Sequence, residues 1–229
     1  MEKNDFKPSI IEKYWQKTPG LFSEKYQTDF LKLLLPVNAF LFSRRKKVLK
    51  LAGNVKGKKI LDVGCGSGVF IIDFVKNGAN VAGVDYSQKM LGLARKEIAR
   101  YRLPKSKYEL IKADATKLPF LNRRFDLVLA TGLTDYLTDA QNEKFLEEAA
   151  RVLKRNGSLI VSFPVDKSPF SFVRSGVGLK IRQKFFKLPP IQNQFSLRKI
   201  RKFFDKAGLK DVKRTKIFMT MWIVVAKLK

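Results

Sequence analysis

The stretch Lys58-Lys59-Ile60-Leu61-Asp62-Val63-Gly64-Cys65-Gly66-Ser67-Gly68 holds the residues best suited to chemistry in this chain. Lys59 to Val63 reads as a short buried strand, Gly64, Gly66 and Gly68 carry the chain through a tight turn, and Val69 to Val75 follows as an apolar helix. Glycine suits such a loop because it tolerates positive φ and leaves no Cβ between the backbone and a ligand. The loop runs into a helix N-terminus, whose free N–H groups and partial positive charge favour anionic or electron-rich groups. A nucleotide-like ligand is the first expectation.

Spacing narrows the ligand. A dinucleotide fingerprint needs its third glycine at position 69, which here is Val69. Three further features accompany the alternating glycines. Asn80 to Val84 reads as the next parallel strand and ends in Asp85, whose carboxylate there can accept both hydroxyls of a ribose. Asp85 could instead cap the helix that follows, since Ser87 and Gln88 come next. Asp114 follows a strand over Tyr108 to Ile111, and Phe125 to Gly132 is a buried strand that ends in small residues.

In this order and spacing the residues resemble a class I S-adenosylmethionine-dependent methyltransferase. Asp62 with Gly64, Gly66 and Gly68 matches that family's acidic-glycine motif, Asp85 its ribose-binding acid, Asp114 its adenine-side acid, and Phe125 to Thr131 its fourth-strand motif. Arg151 to Leu159 resembles the turn into the fifth strand. The match is close over roughly residues 58 to 165 and loose beyond. The resemblance implies S-adenosyl-L-methionine as cofactor, with Gly64 and Gly66 against its methionine part and Asp85 on the ribose. It also implies Tyr86 and Met90 packed on the adenine, Asp114 and the Ala115 backbone at the adenine edge, and the carbonyl of Thr131 or Gly132 on the methionine ammonium. Cys65, inside the loop, reads as a small filler residue and not as a nucleophile.

The elements that must position these residues alternate strand and helix from Lys58 to Phe163, with strands near 59–63, 80–84, 107–112, 125–130 and 157–163 and helices near 68–77, 87–102 and 139–154. Alternation of this kind builds a parallel sheet covered on both faces, with the ligand at the carboxyl ends of the strands. Ser196 should cap a helix over Leu197 to Ala207, and Val212 to Ile217 with Met221 to Ala226 should form a closing antiparallel hairpin. The expected fold is α/β, a doubly wound, mostly parallel sheet of seven strands.

Residues 1–57 should form an N-terminal helical lid, and 58–229 the cofactor-binding domain, with a substrate-side insertion at about 164–192. Pro36 should break or kink the apolar helix over Phe30 to Phe42, which the basic run Ser43-Arg44-Arg45-Lys46-Lys47 follows. Tyr14, Trp15, Tyr26 and Phe30 would suit a substrate-pocket wall, as would Phe170 in the insertion. The same N-terminal stretch could lie on an anionic membrane surface or simply pack on the domain.

The chain of 229 residues carries 47 basic against 20 acidic side chains, a net charge of +27. Residues 166–229 hold 17 basic and 3 acidic residues, about half of that excess. Such a balance attracts phosphate, whether of RNA, anionic lipid or a small substrate, although a lysine-rich proteome would produce it as well. A single cysteine excludes an intrachain disulfide and fits a reducing compartment. With no signal pattern at the start and no run of about 18 apolar residues, a cytoplasmic location is expected. No metal site is expected.

Methyl transfer from a sulfonium asks the protein mainly to bind, orient and exclude water. The chain has no histidine, which excludes a histidine base. Asp135 and Tyr136, just past the fourth strand, are the best-placed candidates to accept a proton, with Tyr14, Tyr26 and Asp166 behind them. The fourth strand ends Ala130-Thr131-Gly132-Leu133, without the Asn/Asp-Pro-Pro-Tyr pattern with which amino-methylating nucleic-acid enzymes grip a base. The expected activity is methylation of a small or lipophilic molecule, as in the methyltransferases of quinone and porphyrin precursors. RNA methylation is the alternative, carried by charge alone, and a cofactor-binding protein without chemistry is a third.

Overall fold

The computed structural model describes residues 36–165, 193–217 and 220–229. Expectations that fall on Tyr14, Trp15, Tyr26, Phe30, Asp166 and Phe170 lie outside the described residues. The elements in chain order are α1 (Pro36–Ala52), β1 (Lys59–Val63), α2 (Val69–Lys76), β2 (Asn80–Asp85), α3 (Gln88–Arg100), β3 (Tyr108–Lys112), β4 (Phe125–Ala130), α4 (Asp139–Val152), β5 (Leu153–Pro164), α5 (Leu197–Lys206), β6 (Leu209–Ile217) and β7 (Met221–Leu228). The sheet has seven strands in the order β3-β2-β1-β4-β5-β7-β6. The first five are parallel, and β7 runs antiparallel to both of its neighbours.

Alternation along each strand divides the core between the two faces of the sheet. Leu61 and Val63 point to the side covered by α4 and α5, where Phe145, Leu146, Ile200, Phe203 and Phe204 pack. Ile60 points to the other side, with Val48 of α1, Ile71 and Phe74 of α2, and Leu91 and Ile98 of α3. Because β1 lies between β2 and β4, the chain reverses its direction across the sheet at the carboxyl end of β1, and a crevice opens there.

The helices start where short polar side chains can satisfy free backbone donors. Ser87 accepts from the Met90 N–H, Ser196 from the Lys199 N–H, and Thr138 with Gln141 forms a reciprocal capping box at α4. Among the described residues no helix is long and apolar enough to cross a membrane.

Two local readings change. The described helix α1 runs on from Pro36 through the basic run, so Ser43 to Lys47 is helical. Helical periodicity turns Arg44 inward, where it is buried, and Arg45 toward α2, where its guanidinium makes two bonds to the Asp73 carboxylate at 2.7 and 2.5 Å. The helix expected to reach residue 154 stops at Val152, because Leu153 already pairs with Phe125 as the first residue of β5.

Gly83 shows how tightly β2 is packed: a Cβ there would stand 2.4 Å from Ile71 Cδ1, 3.0 Å from Leu110 Cδ2 and 3.1 Å from Cys65 Sγ. Gly83→Ala is expected to lower the free energy of unfolding by about 1 to 3 kcal/mol through overpacking. Urea denaturation measures this, and an unchanged midpoint would mean that α2 can move away from the sheet at no cost.

Candidate functional site

The loop after β1 is held against β2 by its own backbone. The N–H groups of Gly64 and Cys65 both donate to the Val84 carbonyl, at 2.8 and 3.0 Å. Gly64, Gly66 and Gly68 have φ of 71°, 54° and 79°, the left-handed region that costs a residue with a side chain most. Their surroundings differ. A Cβ on Gly64 would meet Leu133 at 3.3 Å and one on Gly66 the Met90 Cε at 3.4 Å, whereas at Gly68 it would meet Ala94 and Ile98, both at 3.3 Å. Gly68 thus lets the start of α2 approach α3, while Gly64 and Gly66 line the crevice.

Asp85 closes the other side of the loop. Its Oδ2 accepts the Gly66 N–H and its Oδ1 the Ser87 N–H, each at 2.9 Å. Ser87, and not Asp85, caps α3. Burial pushes the Asp85 carboxyl above its ordinary range, and the two backbone donors oppose that. Each carboxylate oxygen has two acceptor directions, so one remains on each.

Asp62 lies on the neighbouring strand, almost wholly buried, and its Oδ2 has no hydrogen-bond partner. Burial, with the nearby negative charge of Asp85, raises its carboxyl to about 7, against the pull of the Arg44 guanidinium. Arg44 was not singled out in the sequence. It reaches from α1 to the end of β4, where its Nη1 would lie 3.0 Å from a Cβ on Gly132. The available signal was its phase: Leu41, Arg44 and Val48 occupy one buried stripe of the helix, so a cation stands at a core position. Cys65 is buried too, and burial beside Asp62 and Asp85 raises its thiol, which suits a filler and not a nucleophile.

The remaining residues spread along the crevice. Tyr86 is exposed, with Lys112 over its ring at 5.8 Å, and Met90 is buried over Gly66. Asp114 uses one carboxylate oxygen to accept both the N–H and the hydroxyl of Thr116, at 2.8 and 2.9 Å, which shapes the turn that presents Ala115. Thr131 is half-buried at the end of β4.

The β4–α4 loop, which carries Asp135 and Tyr136, is tied down by residues that the sequence reading passed over. Gly132 N–H donates to Ser162 Oγ at 2.9 Å and the Thr134 hydroxyl to the Ser162 carbonyl at 2.6 Å. The Asn142 amide, wholly buried, donates to the carbonyls of Thr134, Leu137 and Thr138. Asn193 donates its N–H to the Asp135 carbonyl and its amide to Asp139. Asp135 is buried and Tyr136 half-buried.

The family described as "Methyltransferase domain" matches residues 60–157. Across 189 residues, 73% of this chain and 77% of its relative, the sequence is 31% identical to the demethylmenaquinone methyltransferase of Bacillus licheniformis. The chain belongs to the class I S-adenosylmethionine-dependent methyltransferases. Two other relatives match over shorter spans. Identity to the demethylmenaquinone methyltransferase of Tropheryma whipplei is 35%, over 51% of this chain and 46% of that protein. The phosphatidylethanolamine N-methyltransferase of Cereibacter sphaeroides is 31% identical over 54% of this chain and 60% of its own length. The chain thus spans about half the length of several curated relatives it matches. The fold is shared with the magnesium protoporphyrin IX methyltransferase of Synechocystis, solved with bound SAH, at a TM-score of 0.73 and 21% identity over 97% of this chain and 99% of that one.

The family's cofactor is S-adenosyl-L-methionine, and the residues present fit it. A side-chain-free cradle at Gly64 and Gly66, free acceptor directions on Asp85 and an unpartnered buried oxygen on Asp62 are what a sulfonium nucleoside with an α-ammonium needs.

The raised Asp62 carboxyl has a sign that can be tested. An acid titrating near 7 in the fold and near 4 when unfolded binds its proton more tightly in the fold, so stability falls as pH rises between those values. Above about pH 7 the whole cost is present. Asp62→Asn is therefore expected to be more stable than the native chain by about 4 kcal/mol at roughly pH 8, with the gap closing toward pH 4. Urea titrations across this range measure it, and a gap that does not change with pH would show that Asp62 is not the titrating group.

Proposed function

We propose that this chain transfers the methyl group of S-adenosyl-L-methionine to a small lipophilic acceptor. The observation that carries the reading is the Asp85 carboxylate, held between the Gly66 and Ser87 N–H groups at the carboxyl end of β2 with one acceptor direction left on each oxygen. Two vicinal hydroxyls of a ribose complete that arrangement. At the α-amino-acid end, Asp62 and the Thr131 carbonyl would hold the ammonium, and Arg44 would face the carboxylate. Tyr86 and Met90 flank the adenine, Asp114 and the Ala115 backbone meet its edge, and Cys65 fills the wall behind the loop.

The bound cofactor supplies a methyl group already activated on a positive sulfur, so the protein's part is to bind, orient and exclude water. Asp62 and Asp85 place negative charge beside the cofactor while the closely packed loop keeps water out. On the acceptor side, Asp135 and Tyr136 stand on a loop that Ser162, Asn142 and Asn193 hold still. An acceptor hydroxyl or carbon acid can lose its proton to the Asp135 carboxylate or, in its ionised form, to the Tyr136 oxygen. Tyr14, Tyr26 and Phe170 are assigned to the acceptor's apolar surface.

The acceptor class is supported by relatives named for demethylmenaquinone, ubiquinone biosynthesis and phosphatidylethanolamine. The single cysteine fits work in the cytoplasm, at or near a membrane that stores such molecules.

Titration calorimetry with S-adenosyl-L-methionine should show binding by the native chain and a loss of about 100-fold in affinity for Asp85→Ala, the worth of two hydrogen bonds to a charged acceptor. Circular dichroism should show the fold retained. Methyl-labelled cofactor, incubated with the protein and a cell extract, should then mark the organic-soluble fraction. No binding by the native chain would overturn the cofactor reading, and label in RNA would overturn the acceptor class.

A further inference from the structure

The antiparallel end of the sheet holds an arrangement that folding alone does not favour. Lys210 of β6 and Lys227 of β7 are register partners, so two ammonium groups stand directly opposite each other. Lys213 pairs with Val225, two residues before Lys227, and so points to the same face as both. Like charges directly opposite in a sheet are destabilising. Nothing nearby offsets them, because among the described residues none of the three lysines has an ion pair, whereas Lys199, Lys206, Arg214 and Lys229 each have one.

The other side of the same edge repeats the sign. Arg198, Arg201 and Lys202 lie at helical spacing on the outer face of α5, opposite the buried Ile200, Phe203 and Phe204, and all three are exposed without an ion pair among the described residues. Between the two groups runs β6, the edge strand, where the register skips Val212 and leaves that side chain half exposed.

Lysines commonly protect edge strands from pairing with other chains. That accounts for Lys210 and Lys213. It does not account for the basic stripe on α5, which is a helix and offers no strand edge to protect. A partner of opposite charge accounts for all of them, since it turns the mutual repulsion of the lysines into attraction.

We propose that the β6 edge, with the lysines of β6 and β7 on one side and the basic stripe of α5 on the other, docks the protein on an anionic lipid bilayer. A bilayer fits better than a nucleic acid because the exposed aromatic side chains among the described residues, Phe42, Tyr86 and Tyr101, lie on other elements, and Trp222 of β7 is half-buried against the core with Lys216 over its ring, which leaves a base little open face to stack on. Lysine stems can lie along an interface with their ammonium groups at phosphate depth, and Val212 can enter beside them. The choice of lipid over RNA also rests on the lipophilic acceptor proposed above, which would be met where it is stored.

The test is sedimentation of the full chain with sucrose-loaded vesicles of phosphatidylcholine, with and without about one-third phosphatidylglycerol, at low salt and at about 0.5 M salt, where screening is nearly complete. The native chain should sediment with the anionic vesicles only and should be released by salt. The variant Lys210→Gln/Lys213→Gln/Lys227→Gln should bind them at least about tenfold more weakly. Its melting temperature should be no lower than that of the native chain, since the repulsion is relieved, and its affinity for S-adenosyl-L-methionine should match, which separates lost docking from lost fold. Failure of the native chain to sediment, undiminished binding by the variant, or salt-sensitive binding to a duplex or hairpin RNA without binding to vesicles would each overturn the proposal. Absence of cofactor binding by the native chain would instead count against the enzymatic reading, because the vesicle result does not depend on it.

Discussion

Two neighbouring carboxylates at the ends of β1 and β2, Asp62 buried and Asp85 half-buried, are the constraint around which this molecule is arranged. Asp62 and Asp85 repel each other, and burial makes both charges costly. The surrounding structure answers with backbone donors at Asp85 and with the Arg44 guanidinium near Asp62. The answer is incomplete at Asp62, whose buried oxygen has no partner and whose carboxyl rises to about 7. Stability is given up where a cationic ligand would restore it, as expected of a site built for binding.

The glycine loop and the strand beside it follow from the same constraint. For Asp85 to reach the Gly66 N–H, the loop must lie against β2, and the two bonds to the Val84 carbonyl hold it there. That close approach leaves no room for a side chain at Gly83, since Ile71, Leu110 and Cys65 already fill the space. Packing and electrostatics therefore meet within a few residues. A change in either is felt in the other.

The acceptor side rests on a different device. Leu133 to Thr138 has little regular structure, yet Asn142 from α4, Ser162 from β5 and Asn193 from the entry to α5 all bond to its carbonyl or hydroxyl groups. Buried amides satisfied by backbone carbonyls make an irregular loop as definite as a strand. The loop bearing Asp135 and Tyr136 is thereby fixed to the rigid sheet from three directions.

The sequence by itself determined the sheet and gathered the acids and glycines of the candidate cofactor site into one local unit. Residues 58–165 carry both a period of two in the strands and turn residues at the loops, and Asp62, the glycines and Asp85 are local in sequence, within one strand-loop-helix-strand unit. Ser196 as a cap and the final hairpin were legible for the same reason. Only the tertiary structure decided which glycine does what, because Gly68 faces Ala94 and Ile98 from a helix far along the chain while Gly66 faces the crevice. It alone turned one arginine of a basic run into a buried cation near Asp62, since a helix directs neighbouring residues to different sides and the run looks uniform when written out. It alone placed Lys227 opposite Lys210, a contact set by strand register between segments that read separately as ordinary basic surface. Local chemistry is written in spacing, whereas electrostatic neighbourhoods depend on which distant elements the fold brings together.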